Sequence, residues 1–281
     1  MTGGDRGPAP RDDGLGAVTT PLGAGADVVF WDGVATRFPS LKGAASTAYY
    51  FECEQILLRR FFPILHGQRL LKTDLWDEAK NTEILRWAGE RGARPFGIDI
   101  AFDTARDARD VLAAHGGRIV AADVRQLPFR TDSFDLIYSM GTIEHFVDSE
   151  IAVRELWRVL RPGGRAIIGV PNKLDPFLRP LMVHVLNALG LYAYGMERSF
   201  TPAGLRRVLS SAGFSVAELS GILFIPGWLR MLDLYCHVHR LPLTAVTGWL
   251  VWPFAWLYRH LPRVRRHGYL IAYLARKPEP R

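Results

Sequence analysis

The sequence predicts an α/β fold, a doubly wound and largely parallel sheet with helices on both faces, on three observations. Short apolar runs alternate with segments of helical spacing from Arg69 to about Lys277. Acidic residues, Asp99 and Asp123, close the second and third of these runs. Carboxyl ends of that kind line the crevice where open α/β sheets bind ligands. The third is size, since 281 residues hold one sizeable core plus embellishments, or two small domains.

The elements follow in order. "RLLKTDL" (69–75) reads as strand one and a helix from about Ala79 to Arg91 follows it. "PFGIDIA" (95–101) is strand two. The helix after it has Asp103 or Thr104 as a cap and Gly116-Gly117 as its stop. "RIVAADV" (118–124) is strand three and "SFDLIYSM" (133–140) strand four. A helix then opens at Ser149, carries apolar spacing at Ile151, Leu156, Val159 and Leu160, and stops at Pro162-Gly163-Gly164. "RAIIGVPN" (165–172) is strand five. Thr201-Pro202 opens a further helix, a strand starts at Phe214, and "GYLIAYLARK" (268–277) is the last strand. There is no internal repeat.

Composition narrows the class. An apolar fraction of 48% with 22% charged residues is globular rather than disordered. Cys53 and Cys236, far apart, form neither a disulfide framework nor a metal pattern, which fits a reducing compartment. The Gly/Pro/Asp-rich start lacks the apolar region of a signal peptide, so residues 1–28 read as a disordered leader and 29–68 as an N-terminal helical segment. Residues 221–281 hold nine basic residues against two acidic ones, which is the whole net charge of +7. A local anionic partner is implied.

Chemistry gathers at the strand ends. Asp99, 21 residues after Glu78, can accept hydrogen bonds from both hydroxyls of a ribose or cap the next helix. Asp123 can take an adenine amino group while Val124 packs or donates its amide, or the pair forms a solvated turn. "SMGTIEHF" places Ser139 to His145 in the crevice. His145, with Glu144 beside it, is either a general base or a shaper of the loop.

Together "FGIDIA", "ADVRQLPF", "DSFDLIYSMGTIEHF", "ELWRVLRPGGRAIIGVPN" and "ERSFTPAGLRRVLSSAGF" resemble the class I S-adenosylmethionine-dependent methyltransferases of the type 11 group, over residues 69–220. The resemblance implies a Rossmann-like seven-stranded sheet with an antiparallel last strand. It implies S-adenosylmethionine across strands one to three and substrate over strands four and five. The cofactor-binding set it implies is Asp99 and Ile100 at the ribose, Asp123 and Val124 at the adenine, and Ser139, Met140 and Gly141 beside the methionine portion. His145 is the catalytic candidate, and no metal is implied.

One stretch departs from that family. Where its pattern carries three glycines after strand one, this chain has Asp74, Trp76 and Glu78. S-adenosylmethionine carries no phosphate for such glycines to cradle. Its ammonium needs an anionic partner, which Asp74 and Asp77 can supply. The site is rebuilt, or the chain is a non-catalytic scaffold.

Two insertions, about 173–200 and 221–267, are expected to cover a domain spanning 69–277. The first is almost wholly apolar and offers His184, Tyr192, Tyr194 and Glu197 as weak substrate contacts. In the second, residues 241–258 run without charge, with Trp249, Trp252 and Trp256 on one helical stripe. Pro253 and the return of the last strand argue against a membrane span. A helix lying on an anionic membrane, with Arg259, Arg263, Arg265 and Arg266 toward lipid, competes with a lid or a dimer contact. The expected protein is a cytoplasmic methyltransferase of a hydrophobic, lipid-like small molecule, with peripheral contact on the inner face of the membrane left open. Nucleic acid is not an expected partner, because the basic region is apolar and strand four lacks a base-flipping motif.

Overall fold

The computed structural model describes residues 25–195 and 197–280. Seven strands form one sheet in the order β3-β2-β1-β4-β5-β7-β6. They are β1 (Arg69–Lys72), β2 (Arg94–Asp99), β3 (Arg118–Ala121), β4 (Phe134–Met140), β5 (Leu160–Pro171), β6 (Ser215–Ile222) and β7 (Leu270–Arg276). Strands β1 to β5 are parallel, and β7 runs antiparallel between β5 and β6. This is the Rossmann-like methyltransferase sheet that the resemblance implies. The strand order reverses between β1 and β4, so the loops after these two strands diverge and leave a crevice.

Helices cover both faces, and the period of two in the strands supplies both cores. Leu70, Leu136, Tyr138 and Ile167 face α2 (Ala45–Phe61), α4 (Ile84–Gly89) and α5 (Phe102–Leu112). Their neighbours Leu71, Ile137, Ala166 and Ile168 face α6 (Ser149–Val159) and α8 (Pro202–Ser211). Thr201 caps α8 by accepting from Gly204 N at 3.1 Å. The 149–159 helix has Asp148 at its N-cap position, one residue before the expected Ser149 and without a side-chain capping bond, and Pro162-Gly163-Gly164 continue into β5.

The largest departure follows β1. The strand stops at Lys72, and the single helix expected over 79–91 is two, α3 (Trp76–Lys80) and α4. Glu83 breaks it by taking a left-handed conformation at φ 59°, held by ion pairs to Lys42 and Arg86. The chain before the sheet also folds. Helix α1 (Gly25–Arg37) begins inside the stretch expected to be a leader, whose residues 1–24 lie outside the described residues.

The two insertions hold α7 (Arg179–Ala188), then α9 (Gly227–Val238) and α10 (Thr244–His260). Asp233, buried on α9, fastens them to the body. Its carboxylate accepts from Ser46 N at the start of α2 and from Thr247 Oγ1 on α10, both at 2.7 Å. Tyr258 Oη on α10 donates to Gly221 O at 2.8 Å.

Candidate active site

Lys72 organises the loop that replaces the glycines. It is buried, and its ammonium lies 3.0 Å from Asp77 Oδ2 and 3.1 Å from Glu78 Oε2, while also donating to the Asp74 carbonyl. Burial disfavours its charge, but the Asp77 and Glu78 carboxylates outweigh that and hold it well above the ordinary lysine range. Asp77 also accepts from Asn81 Nδ2, whose own oxygen accepts from Thr47 of α2. Glu78 Oε1 accepts from Leu85 N, which ties α3 to α4. A second carboxyl, Glu54 of α2, accepts from Tyr138 Oη at 2.7 Å and Thr82 Oγ1 at 2.5 Å. Burial, then the charge of Asp77, pushes it well above the usual carboxylate range. The glycines are therefore replaced by a short helix pinned from beneath by buried charge.

Above this network lies a cavity of about 500 Å³. Asp74 lines it half-buried, its Oδ1 accepting from Trp76 N at 2.8 Å. Burial raises its carboxyl to about 8, with Lys72 opposing and Asp77 and Asp99 adding to the rise. Asp99 accepts from Leu75 N at 2.9 Å and Ala101 N at 2.8 Å, joining the loops after β1 and β2. Burial brings it to about 6, against the two amides. Each carboxylate keeps lone pairs beyond these bonds. Gly97 beneath allows the close approach, since a Cβ there would meet Leu75 Cδ2 at 2.5 Å.

Of the residues singled out from sequence, Asp74, Asp99, Ile100, Met140, Gly141 and His145 all line this cavity. Gly141, at φ 77°, leaves a cradle. A Cβ there would stand 3.7 Å from Glu144 Oε1 and 3.9 Å from Asp74 Oδ2. Ser139 lies behind the lining, buried and accepting from Thr73 Oγ1 at 2.8 Å. Asp123 and Val124 are buried away from it. The Asp123 carboxylate is gripped by Arg125 through Nε and Nη2 at 2.6–3.0 Å, and Arg125 reaches on to Asp27 of α1.

Tyr192, Tyr194 and Glu197, offered from the first insertion, also line the cavity, whereas Trp31, Phe38 and Arg179 were not foreseen. Trp31 of α1 meets the His145 ring edge-on at 4.7 Å, so the N-terminal helix closes this end. Trp76 lines the cavity and packs edge-on against Phe38 and Tyr194. Arg179 forms a buried pair with Glu197 and lies 4.1 Å over the Tyr269 ring, while Tyr192 Oη donates to Glu197. Glu144 is buried, and desolvation followed by the charge of Glu197 pushes its carboxyl well up. His184 is exposed and off the lining. A lysine inside an apolar strand was the visible signal for the Lys72 network. Trp31 had none.

Comparison with known proteins agrees with the architecture. Residues 79–168 match the family model described as a methyltransferase domain. Tocopherol O-methyltransferase of Arabidopsis thaliana is 40% identical over 29% of this chain and 24% of its own length. Demethylmenaquinone methyltransferase of Roseiflexus castenholzii is 31% identical over 47% of this chain and 62% of its own. The chain thus spans under two thirds of either relative. The S-adenosylmethionine-dependent methyltransferase of Mesorhizobium loti superposes with a TM-score of 0.55 at 19% identity, over 85% of this chain and all of that one. The chain thus carries, over residues 79–168, a stretch that matches a methyltransferase domain, set in the fold of the class I S-adenosylmethionine-dependent methyltransferases. The cofactor of that class is S-adenosylmethionine, and the cavity suits it. The carboxylates of Asp74 and Asp99 line it as hydrogen-bond acceptors, and Gly141 leaves its backbone open to a ligand.

Proposed function

We propose that this chain transfers the methyl group of S-adenosylmethionine to a hydrophobic small molecule. The observation that carries this is one cavity with two unlike walls. Asp74, Asp99 and Gly141 form the first, and Met182, Leu191, Tyr194, Leu223, Met231 and Leu234 contribute to the second. Bound there, S-adenosylmethionine supplies an electrophilic methyl carbon. Asp74 would pair with its ammonium and Asp99 with its ribose hydroxyls.

The remaining work of the protein is placement and exclusion of water. Trp31, Trp76 and Tyr194 close the polar end with apolar surface. His145 lines the cavity near Glu197 and is the group to take a proton from a hydroxyl or amine acceptor. The two relatives named above point the same way, since tocopherol and demethylmenaquinone are apolar molecules.

The test incubates the protein with methyl-labelled S-adenosylmethionine and a panel of apolar phenols, quinols and amines. Label should pass into the solvent-extractable fraction for at least one of them. Cofactor binding without any extractable label would overturn the hydrophobic-acceptor reading.

A further inference from the structure

Helix α10 has one face that is fully accounted for and one that is not. Thr247, Val251 and Tyr258 are buried, and two of them are hydrogen-bonded to Asp233 and to Gly221. The opposite face carries Trp249 at 82% and Trp252 at 62% exposure, with Val246, Leu250 and Trp256 beside them. Packed against it, α9 adds Trp228 and Tyr235, exposed by 59% and 58%. Soluble surfaces rarely leave so much contiguous apolar area in water without a partner. The anchoring through Asp233 and Tyr258 shows that α10 is already seated, so this face is not the underside of an open lid.

Charge identifies the partner. The sole acid between residues 227 and 267 is Asp233, which is buried beneath α9. At the two ends of α10 stand Arg240, then Arg263 and Arg266, exposed and without an ion-pair partner among the described residues. Arg259 and Arg265 do not join them, contrary to the sequence expectation. Arg259 pairs with Glu52, and Arg265 donates to the carbonyls of Tyr258 and Arg259. A second copy of the chain would bring the same cations and no acid to the contact. An anionic lipid surface complements both features, with tryptophans at headgroup depth and arginines toward the phosphates. Among the described residues no helix is long and apolar enough to cross a membrane, so the contact is peripheral.

The cavity opens on the same side. Met231 and Tyr235 of α9 are exposed and also line it. We propose that the α9–α10 face docks flat on an anionic bilayer, and that the cavity mouth beside Met231 and Tyr235 then receives its apolar acceptor from the lipid. The docking stands by itself, while the delivery of an acceptor rests on the methyltransferase reading.

The test is co-sedimentation of the full chain, without cofactor, with vesicles of pure phosphatidylcholine and of phosphatidylcholine mixed with phosphatidylglycerol. Wild type should pellet with the anionic vesicles at low salt and less so at high salt. Replacing Arg263 and Arg266 by Gln should weaken that binding roughly five-fold per arginine. Trp249→Ser with Trp252→Ser should weaken it at either salt concentration, and should reduce quenching of tryptophan emission by acyl-brominated lipid, with Trp228 and Trp256 left to report the rest. Neither pair lines the cavity, so affinity for S-adenosylhomocysteine should be unchanged in both. Wild type remaining in the supernatant with anionic vesicles at low salt overturns the proposal. So does inorganic phosphate abolishing binding where sodium chloride of equal ionic strength does not, which would mark a soluble-anion site. A concentration-dependent dimer that shields the tryptophans and ignores vesicles overturns it as well. None of these outcomes bears on cofactor binding, which is measured separately.

Discussion

On one side of the cavity the loop after β1 keeps Lys72, Asp77 and Glu78 out of water, while across the molecule α9 and α10 hold Trp228, Trp249 and Trp252 in it. A fold selected for stability alone would place these groups the other way round. The contrast teaches that local rules broken in opposite senses report different tasks. The buried charges are closed on one another and hold a loop in shape. The exposed apolar groups are not closed off in this way by any of the described residues, and the proposed bilayer contact would cover them.

The contrast breaks most directly at Lys72. Lys72→Met would leave Asp77 and Glu78 buried without their cation, a loss of about 3–5 kcal/mol. Urea unfolding should show it as a lower midpoint at unchanged slope. A loss under about 1 kcal/mol would mean that the network is ornamental.

The next effect is on the ligand. Asp99→Asn keeps the size of the side chain and removes its charge, and hydrogen bonds to charged groups contribute about 1.5–3 kcal/mol each. Affinity for S-adenosylhomocysteine should fall roughly tenfold or more while the fold survives. Unaltered affinity in a folded variant would remove Asp99 from the ribose.

A third prediction uses proton linkage at Asp74. Its carboxyl is raised to about 8, so near neutral pH it holds a proton that an incoming ammonium must displace. Binding should release a proton, and affinity should climb as pH rises toward about 8, by up to roughly tenfold per unit. In Asp74→Asn that slope should vanish. Calorimetry in buffers of different ionisation enthalpy reads the proton directly, and equal heats in all of them would exclude the linkage.

The smallest effect sharpens the contrast from the other side. Trp249→Ser removes a side chain that touches little, so stability in the absence of lipid should change by no more than about 0.5 kcal/mol. A large loss would show Trp249 to belong to the core.

Much of this was legible in the sequence because the signals are local. The strand runs, the spacing of Asp99 and the Gly141 turn need only the chain on either side of them. The Lys72 network was half legible. A lysine in "RLLKTDL" is visibly misplaced, but its partners come from a loop that departs from the family and from a helix break at Glu83, where ion pairs override helical spacing. Asp123 illustrates the opposite limit. The strand expected over 118–124 stops at Ala121, so Asp123 lies two residues past β3, and Arg125 two residues on folds back over it; spacing cannot show which way a side chain turns. Trp31 was illegible because contact with His145 joins residues 114 positions apart.

The central claim is that the carboxylates after β1 and β2 bind S-adenosylmethionine without the family's glycines. Calorimetric titration of the full chain with S-adenosylmethionine and S-adenosylhomocysteine tests it most directly. One site per chain, weakened by Asp99→Asn and releasing a proton in wild type but none in Asp74→Asn, is the predicted result. No heat and no thermal shift with either form would contradict it and leave the fold as a non-catalytic scaffold.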